Sequence, residues 1–549
     1  MPNDIKIGLL ALGAILILVA ILGGNFELFG AKVGQTISDL RLRFASFFLG
    51  AFFLVLAVFP VPVPGPGTPQ PTPISTPIST PTSIPEQVGL KMSFGERSLI
   101  KDEAIQSGCQ ETGDQFNGHK RNGTLNMEAA SKIGTLRSDA EASYKQAANE
   151  FDAAYQACKN TPEALIYREN ALIGLSDAYT IAVPVPITES GSGQPERGRA
   201  LMMLRGFAQA QEKINKSSDK VNGKPLKLLI VDDEDNKDTA ARIAEALIGN
   251  TSVKAVMGHW TSDVSESAAK IYNGKLVFIT PISIFDRLSS YVPWVFRINA
   301  TSTIGAEALK NYVNSKPLLK DSQVLIFFDS EIPYSVELKD AFYNAITRRR
   351  VFDDIDLRTY NLRSNNIIDQ ATQNECILAF FPGPPTVDIA LGIMQKYGSS
   401  SPLLLGDMAN LYTVKTLGRP GAKGMVMAPP WNIDSDSQST FTTEAKALWN
   451  NNDVSWAAAM SYNAGQALIQ AIKNAGETDN LRLGIQKALV SKSFSVPDGV
   501  PSQFSFSDQG DAGMGVQLVQ VCSVEQDSGE RKPKFVPIID LNRQCEPEP

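Results

Sequence analysis

Histidine and cysteine are scarce in this chain. Of 549 residues only His119 and His259 are histidines, far apart, and five are cysteines: Cys109, Cys158, Cys376, Cys522 and Cys545. No CxxC pair occurs and no Cys/His group has zinc spacing, which argues against a structural metal site. HExxH, a GxSxG elbow, a P-loop and a GxGxxG between strand and helix are all missing, so the chain reads as a non-enzyme that needs no cofactor. Ser217 to Lys220 fits SxxK, but in a polar loop. The acidic run Asp232–Asp235 lacks the glycine and the later Glu of a calcium loop. It reads as the end of a strand, with Asp238 capping the next helix. Basic runs are short too. The densest, Arg348–Arg350, follows an apolar helical pattern, where cations suit a helix C-terminus. Net charge is −7 with no basic stripe, which excludes nucleic acid as an evident partner.

What the chain does have begins with two apolar runs, Ile5–Leu22 and Phe44–Val63. Each approaches the ~20 residues that cross a bilayer. Residues 1–63 are therefore expected to be a membrane anchor with transmembrane helices at about 5–22 and 44–63. The loop between the runs carries Lys32, Arg41 and Arg43, and no Lys or Arg follows the second run until Lys91. The positive-inside rule then puts the long C-terminal part outside, on the periplasmic side of the plasma membrane. Residues 60–86 repeat Pro, Thr and Ser, a composition that builds no core and favours an extended stalk. Outside the cytoplasm, Cys109–Cys158 and Cys522–Cys545 are the disulfide candidates, although sequence leaves the connectivity open. Cys376 lies in an apolar run and reads as a buried thiol.

Residues 91–177 divide in two. The first forty are polar and irregular. From Ser138, Ala140, Tyr144, Ala147, Ala148, Phe151, Ala154 and Tyr155 recur at helical spacing, and Asn160-Thr161-Pro162-Glu163 breaks and restarts a helix. The pair resembles one tetratricopeptide-like hairpin, too few repeats for a solenoid. It reads as a unit packed on the main domain, with partner docking as the other reading. From Tyr179, short apolar strands alternate with helices: Leu226–Val231, Lys254–Met257 and Leu276–Thr280, then Gln323–Phe328, Cys376–Phe381 and Leu403–Leu405. Continuous apolar strands separated by helices predict parallel sheets covered on both faces. Two such runs meeting near residue 300 predict an α/β protein of two doubly wound lobes. Ligands of open α/β sheets bind at the strands' carboxyl ends, so a cleft is expected between the lobes.

Val221-Asn222-Gly223-Lys224-Pro225-Leu226, Asp232-Asp233, Gly258-His259-Trp260-Thr261-Ser262, Phe278-Ile279-Thr280-Pro281 and Tyr291–Arg297 follow in order in the first lobe. Asp329, Tyr334-Ser335, Leu404-Leu405-Gly406-Asp407 and Gly424-Met425-Val426 follow in the second. In this order the motifs resemble the type I periplasmic solute-binding proteins, in the Leu/Ile/Val branch that serves ABC transporters, over roughly residues 179–540. The resemblance implies a Venus-flytrap fold over 179–541, with lobe 1 at about 179–300 plus 432–498 and lobe 2 at about 301–431 plus 499–541. It also implies hinge closure around a small solute, commonly an amino acid, and an ABC permease as partner.

On these residues the resemblance puts the solute carboxylate at Ser262, with Asp263 and Glu266 forming a capping box that starts a helix near Val264. Hydroxyls around 282–284 are expected to help, where the chain has Ile282, Ser283 and Ile284. Asp407 would hold the ammonium or else cap a helix at 408–416. Tyr334 would line the cleft, and Trp260 would close its apolar side. Pro384 stands where the family often places an aromatic ring. The other reading is a membrane-anchored sensory or scaffolding ectodomain with a diverged pocket.

Overall fold

Apolar strands buried on both faces build two sheets in the computed structural model, which describes residues 26–28, 31–33, 89–132, 135–188, 198–411, 414–449, 454–525, 531–539 and 545. The chain divides into Met1–Ile78 and Ser79–Pro549. In the first unit the described residues are an antiparallel pair, Phe26–Leu28 with Ala31–Val33. The apolar runs at 5–22 and 44–63 and the Pro-rich stretch 60–86 lie outside the described residues. Among the described residues no helix is long and apolar enough to cross a membrane.

In the second unit, one sheet has six strands in the order Met92–Ser93, Leu226–Asp232, Tyr179–Val185, Val253–Met257, Phe278–Thr280 and Val295–Arg297. The other has seven: Val351–Asp356, Val324–Phe328, Ile377–Phe381, Leu404–Gly406, Val426–Met427, Val519–Glu525 and Arg531–Pro537. Tyr179–Val185 is buried throughout, as a central strand requires. The expectation of parallel sheets needs correcting, because both are mixed. Met92–Ser93 runs antiparallel to its neighbour, as do Val519–Glu525 and Arg531–Pro537. An antiparallel edge needs no helical crossover, so a short arriving segment or a terminal hairpin can supply it. Val351–Asp356 was not legible as a strand, because its edge position leaves Asp353 and Asp354 exposed.

Residues 91–130, irregular by sequence, contain the helix Gly113–Ser131. Three glycines and few apolar residues hide its period. With Arg137–Ala157 and Pro162–Ile173 it packs into one core with the first sheet, and Tyr155 Oη donates to Leu448 O at 2.7 Å. Cys109 bonds to Cys158 and Cys522 to Cys545, while Cys376 is a buried free thiol. Val500, Phe504, Ala512 and Met514, expected in the second lobe, join the first lobe's core. Their stretch has neither helical nor strand period. The chain therefore crosses between lobes at about 298–301, 428–431 and 512–518.

Helix Trp456–Ala475 belongs to the first lobe and lies tight against Gly198–Lys216. A Cβ on Gly206 would stand 2.1 Å from Ala458 O, so only glycine permits this approach. The packing fixes the start of the helix, where Ser455 accepts from Ala458 N, beside the carboxyl ends of the first sheet.

Candidate functional site

A cavity of about 150 Å³ lies where the carboxyl ends of the two sheets face each other. Its first-lobe wall is Asp235, Trp260, Thr261, Ser262, Asp263 and Ile282, from the turns that follow Leu226–Asp232, Val253–Met257 and Phe278–Thr280. Its second-lobe wall is Ile332, Tyr334, Pro384, Met408, Ala409 and Asn410, from the turns after Val324–Phe328, Ile377–Phe381 and Leu404–Gly406. Trp456 completes it. Apart from Trp456, every lining residue follows a parallel strand, as the topology of open α/β sheets dictates.

The turn 258–262 shows how the backbone aims these groups. A Cβ on Gly258 would meet Pro184 O at 2.3 Å. His259 N–H bonds that same carbonyl at 2.9 Å with φ 55, and its ring meets Asp233 at 2.8 Å beneath the turn. Trp260 is thereby presented to the cavity, its ring 6.0 Å from that of Trp456.

The capping box proposed for Asp263 and Glu266 is not formed. The helix runs Ser262–Tyr272 with Thr261 as its N-cap, two residues before the expected start. Asp263 pairs with Lys237, and Glu266 pairs with Lys270 and Arg287. Thr261 donates its hydroxyl to Asp235 at 2.6 Å instead of capping, which leaves the first helical amides to water or solute. Ser262 Oγ accepts from Ser283 Oγ at 3.0 Å and from Ile284 N at 3.4 Å. Its own proton remains to be donated.

The structure thus brings Ser262, Trp260, Ile282 and Tyr334 together on the cavity. Ser283 stands behind Ser262 rather than on the wall. Ile284 is packed in the second lobe's core and lines the neighbouring cavity rather than this one. Asp407 lines a neighbouring cavity of about 20 Å³ that shares Tyr334 and Met408 with the first. The described residues 408–411 form a turn and a short helix runs Val414–Leu417, while Asp407 Oδ1 accepts from Ala409 N and Asn410 N, each at 2.7 Å. Tyr334 Oη donates to the same oxygen at 3.4 Å, while Oδ2 has no hydrogen-bond partner. Burial pushes the Asp407 carboxyl up to about 7, against the pull of those backbone bonds.

Two residues that line the cavity are not among those expected from the sequence. Asp235 was part of an acidic run taken as a plain loop. It sits at φ 46 in the cavity wall, and burial raises its carboxyl to about 6 although Arg199 opposes the shift. The capping residue of the helix after it is Asn236, not Asp238. Trp456 was hidden as the first residue of an apolar helix, and its only sequence signal was its place after the N-cap Ser455.

Residues 180–528 match the family described as periplasmic binding protein. Many solved structures share the fold, and three of them illustrate it. A leucine-binding protein from Thermotoga maritima is 18% identical, with 65% of this chain and 99% of that one covered and a TM-score of 0.53. An ABC transporter substrate-binding protein from Sphaerobacter thermophilus is 17% identical, covering 66% and 99%, at 0.54. A solute-binding protein of an ABC transporter from Rhodopseudomonas palustris, in complex with 3,4-dihydroxybenzoic acid, is 15% identical, covering 66% and 97%, at 0.53. Comparison with curated proteins gives no match.

Proposed function

The chain belongs to the periplasmic binding protein family, and from that premise we propose that it is an extracytoplasmic receptor for an amino acid or a similar small solute, tethered to the membrane and working with an ABC-type permease. The observation that carries this reading is the polarity of the cleft. At one end stand the hydroxyl of Ser262 and the uncapped start of an eleven-residue helix, which suit an anion. On the second-lobe wall stands Tyr334, whose hydroxyl bonds the half-satisfied Asp407 of the neighbouring cavity, a carboxylate that suits an ammonium. Apolar side chains and two tryptophans line the rest of the cavity. The volume matches a small solute, since a cavity of ~150 Å³ holds a molecule of about the size of benzene. Placement outside the cytoplasm is supported by the two disulfides. The tether rests on the apolar runs at 5–22 and 44–63.

Asp235 favours a second reading. A carboxylate beside the anion-binding end opposes a free solute carboxylate, as expected of a sensory or scaffolding ectodomain with a diverged pocket. Thermal shift of the full chain against the twenty amino acids and hydroxybenzoates separates the two. A bound solute at one hundred times its Kd adds about 2.7 kcal/mol of stability. A rise confined to one group of amino acids is the expected result. No rise with any solute would turn the reading toward a protein partner.

A further inference from the structure

Trp456 does more than line the cavity. Its ring belongs to the first lobe, packed in that lobe's core and 6.0 Å from Trp260. Its Nε1–H, however, donates to Met408 O at 3.2 Å, in the turn after the second lobe's strand Leu404–Gly406. One side chain therefore walls the cavity and bonds the opposite lobe. Trp260 shares the wall, but its ring contacts, with Trp456 and Arg199, lie within the first lobe. Exposed bonds cross elsewhere as well, among them Asp286 N–H to Glu337 Oε1 at 3.0 Å and Thr303 Oγ1–H to Asp286 Oδ2 at 2.8 Å.

We propose that Trp456 is an interlobe latch: its indole N–H holds the lobes together through Met408, and it is a positioning residue that sets how tightly any solute is retained. Solute-driven closure belongs to the function proposed above, and the retention clause rests on that reading. The latch itself joins two protein groups and operates with or without solute. When only part of the population is closed, apparent affinity falls by the closed fraction. A single neutral hydrogen bond shifts an equilibrium by roughly two- to tenfold. Loss of the Trp456 N–H should therefore lower the closed-to-open ratio by that factor and raise the Kd of any solute by up to the same factor.

The test uses the full chain with spin labels at Glu245→Cys and Asp369→Cys, exposed positions on helices Lys237–Gly249 of the first lobe and Leu362–Gln373 of the second. Interlobe distances are measured without solute in the parent and in Trp456→Phe, which keeps an apolar ring but has no donor. Trp260→Phe is the control for ring packing. The expected result is a shift to longer distances in Trp456→Phe and none in Trp260→Phe. Identical distributions in the parent and Trp456→Phe overturn the latch, as does an equal shift in Trp260→Phe. Titration with L-leucine and 3,4-dihydroxybenzoate is read separately. If neither solute moves the parent's distances, the proposed solute classes fail, while the solute-free comparison still decides the latch.

Discussion

Among the carboxylates this protein buries, those of the helical unit and Asp407 of the second lobe are treated differently. In the helical unit, Glu103 and Glu163 are both fully buried, and Lys120 pairs with each. Glu163 also accepts the N–H of Leu99 at 2.7 Å and the hydroxyl of Tyr167 at 2.9 Å, and Glu103 accepts the N–H of Glu163 at 2.8 Å. In the second lobe, Asp407 is equally buried, but no cation contributes to its environment and one oxygen has no partner. A buried charge is tolerated when it is paired, and an orphaned acceptor carries the cost of its lost hydration. The helical cluster is complete from its own chain, as a structural element must be. Asp407 stops one partner short, and that missing partner is what a binding group can supply.

The sharpest way to break the contrast is to remove the cation from the complete cluster. Lys120→Met leaves two buried carboxylates facing each other and should destabilise the protein by about 3–5 kcal/mol at neutral pH. The deficit should shrink as pH falls toward the ordinary carboxylate range, because protonation of a buried carboxylate left without its cation removes the unpaired charge. Thermal unfolding of the full chain from pH 4 to 8 measures both. An unchanged melting temperature at neutral pH would mean that the cluster is hydrated and no different in kind from Asp407.

Next in size is Asp407→Asn. The Asp407 carboxyl lies at about 7 when folded, above the ~3.9 of an unfolded Asp. Folding therefore takes up a proton. The stability linked to this group is fully present below about pH 4 and is lost as pH rises toward 7, a change of at most about 4 kcal/mol. Asp407→Asn removes that slope, so without solute the variant should melt above wild type at pH 8. Binding of an ammonium-bearing solute should follow the opposite course, since it needs the charged form. Wild-type affinity should rise from pH 5 to 8, and the variant should lose roughly ten- to hundredfold at pH 8, the range of a charge-assisted bond. A pH-independent affinity equal in both proteins would remove Asp407 from the site.

The same contrast explains what could be read from the sequence. The alternation of apolar strands and helices is a local signal repeated many times, so the two lobes and the position of the cleft were legible. The resemblance placed Ser262, Trp260, Ile282 and Tyr334 at the cleft, and all four line one cavity, each within a few residues of a strand's carboxyl end. Asp235 obeys the same rule, yet its neighbours Asp232–Glu234 made it look like solvated loop. Trp456 comes from a helix start that only tertiary packing brings to the cleft, through Gly206 and Ala458. No local pattern announces such a contact. The helix Gly113–Ser131 was lost for the converse reason: its buried face includes Lys120 and two glycines, and a polar burial partner breaks the apolar period.

Ser262 carries the smallest effect and tests the other wall. Its oxygen already accepts from Ser283 and from the Ile284 backbone, so Ser262→Ala orphans the Ile284 amide as well as removing the donor to a solute. Ser283→Ala removes only one of the bonds that orient Ser262. If Ser262 donates to a solute oxygen, Ser262→Ala should weaken binding by roughly five- to tenfold and Ser283→Ala by less, at about 0.5–1.5 kcal/mol per neutral bond. Calorimetric titration with the solute found by thermal shift reads both. Equal losses in the two variants would mean that this wall acts as a preformed network, and that the helix amides behind it, rather than the Ser262 hydroxyl, meet the solute.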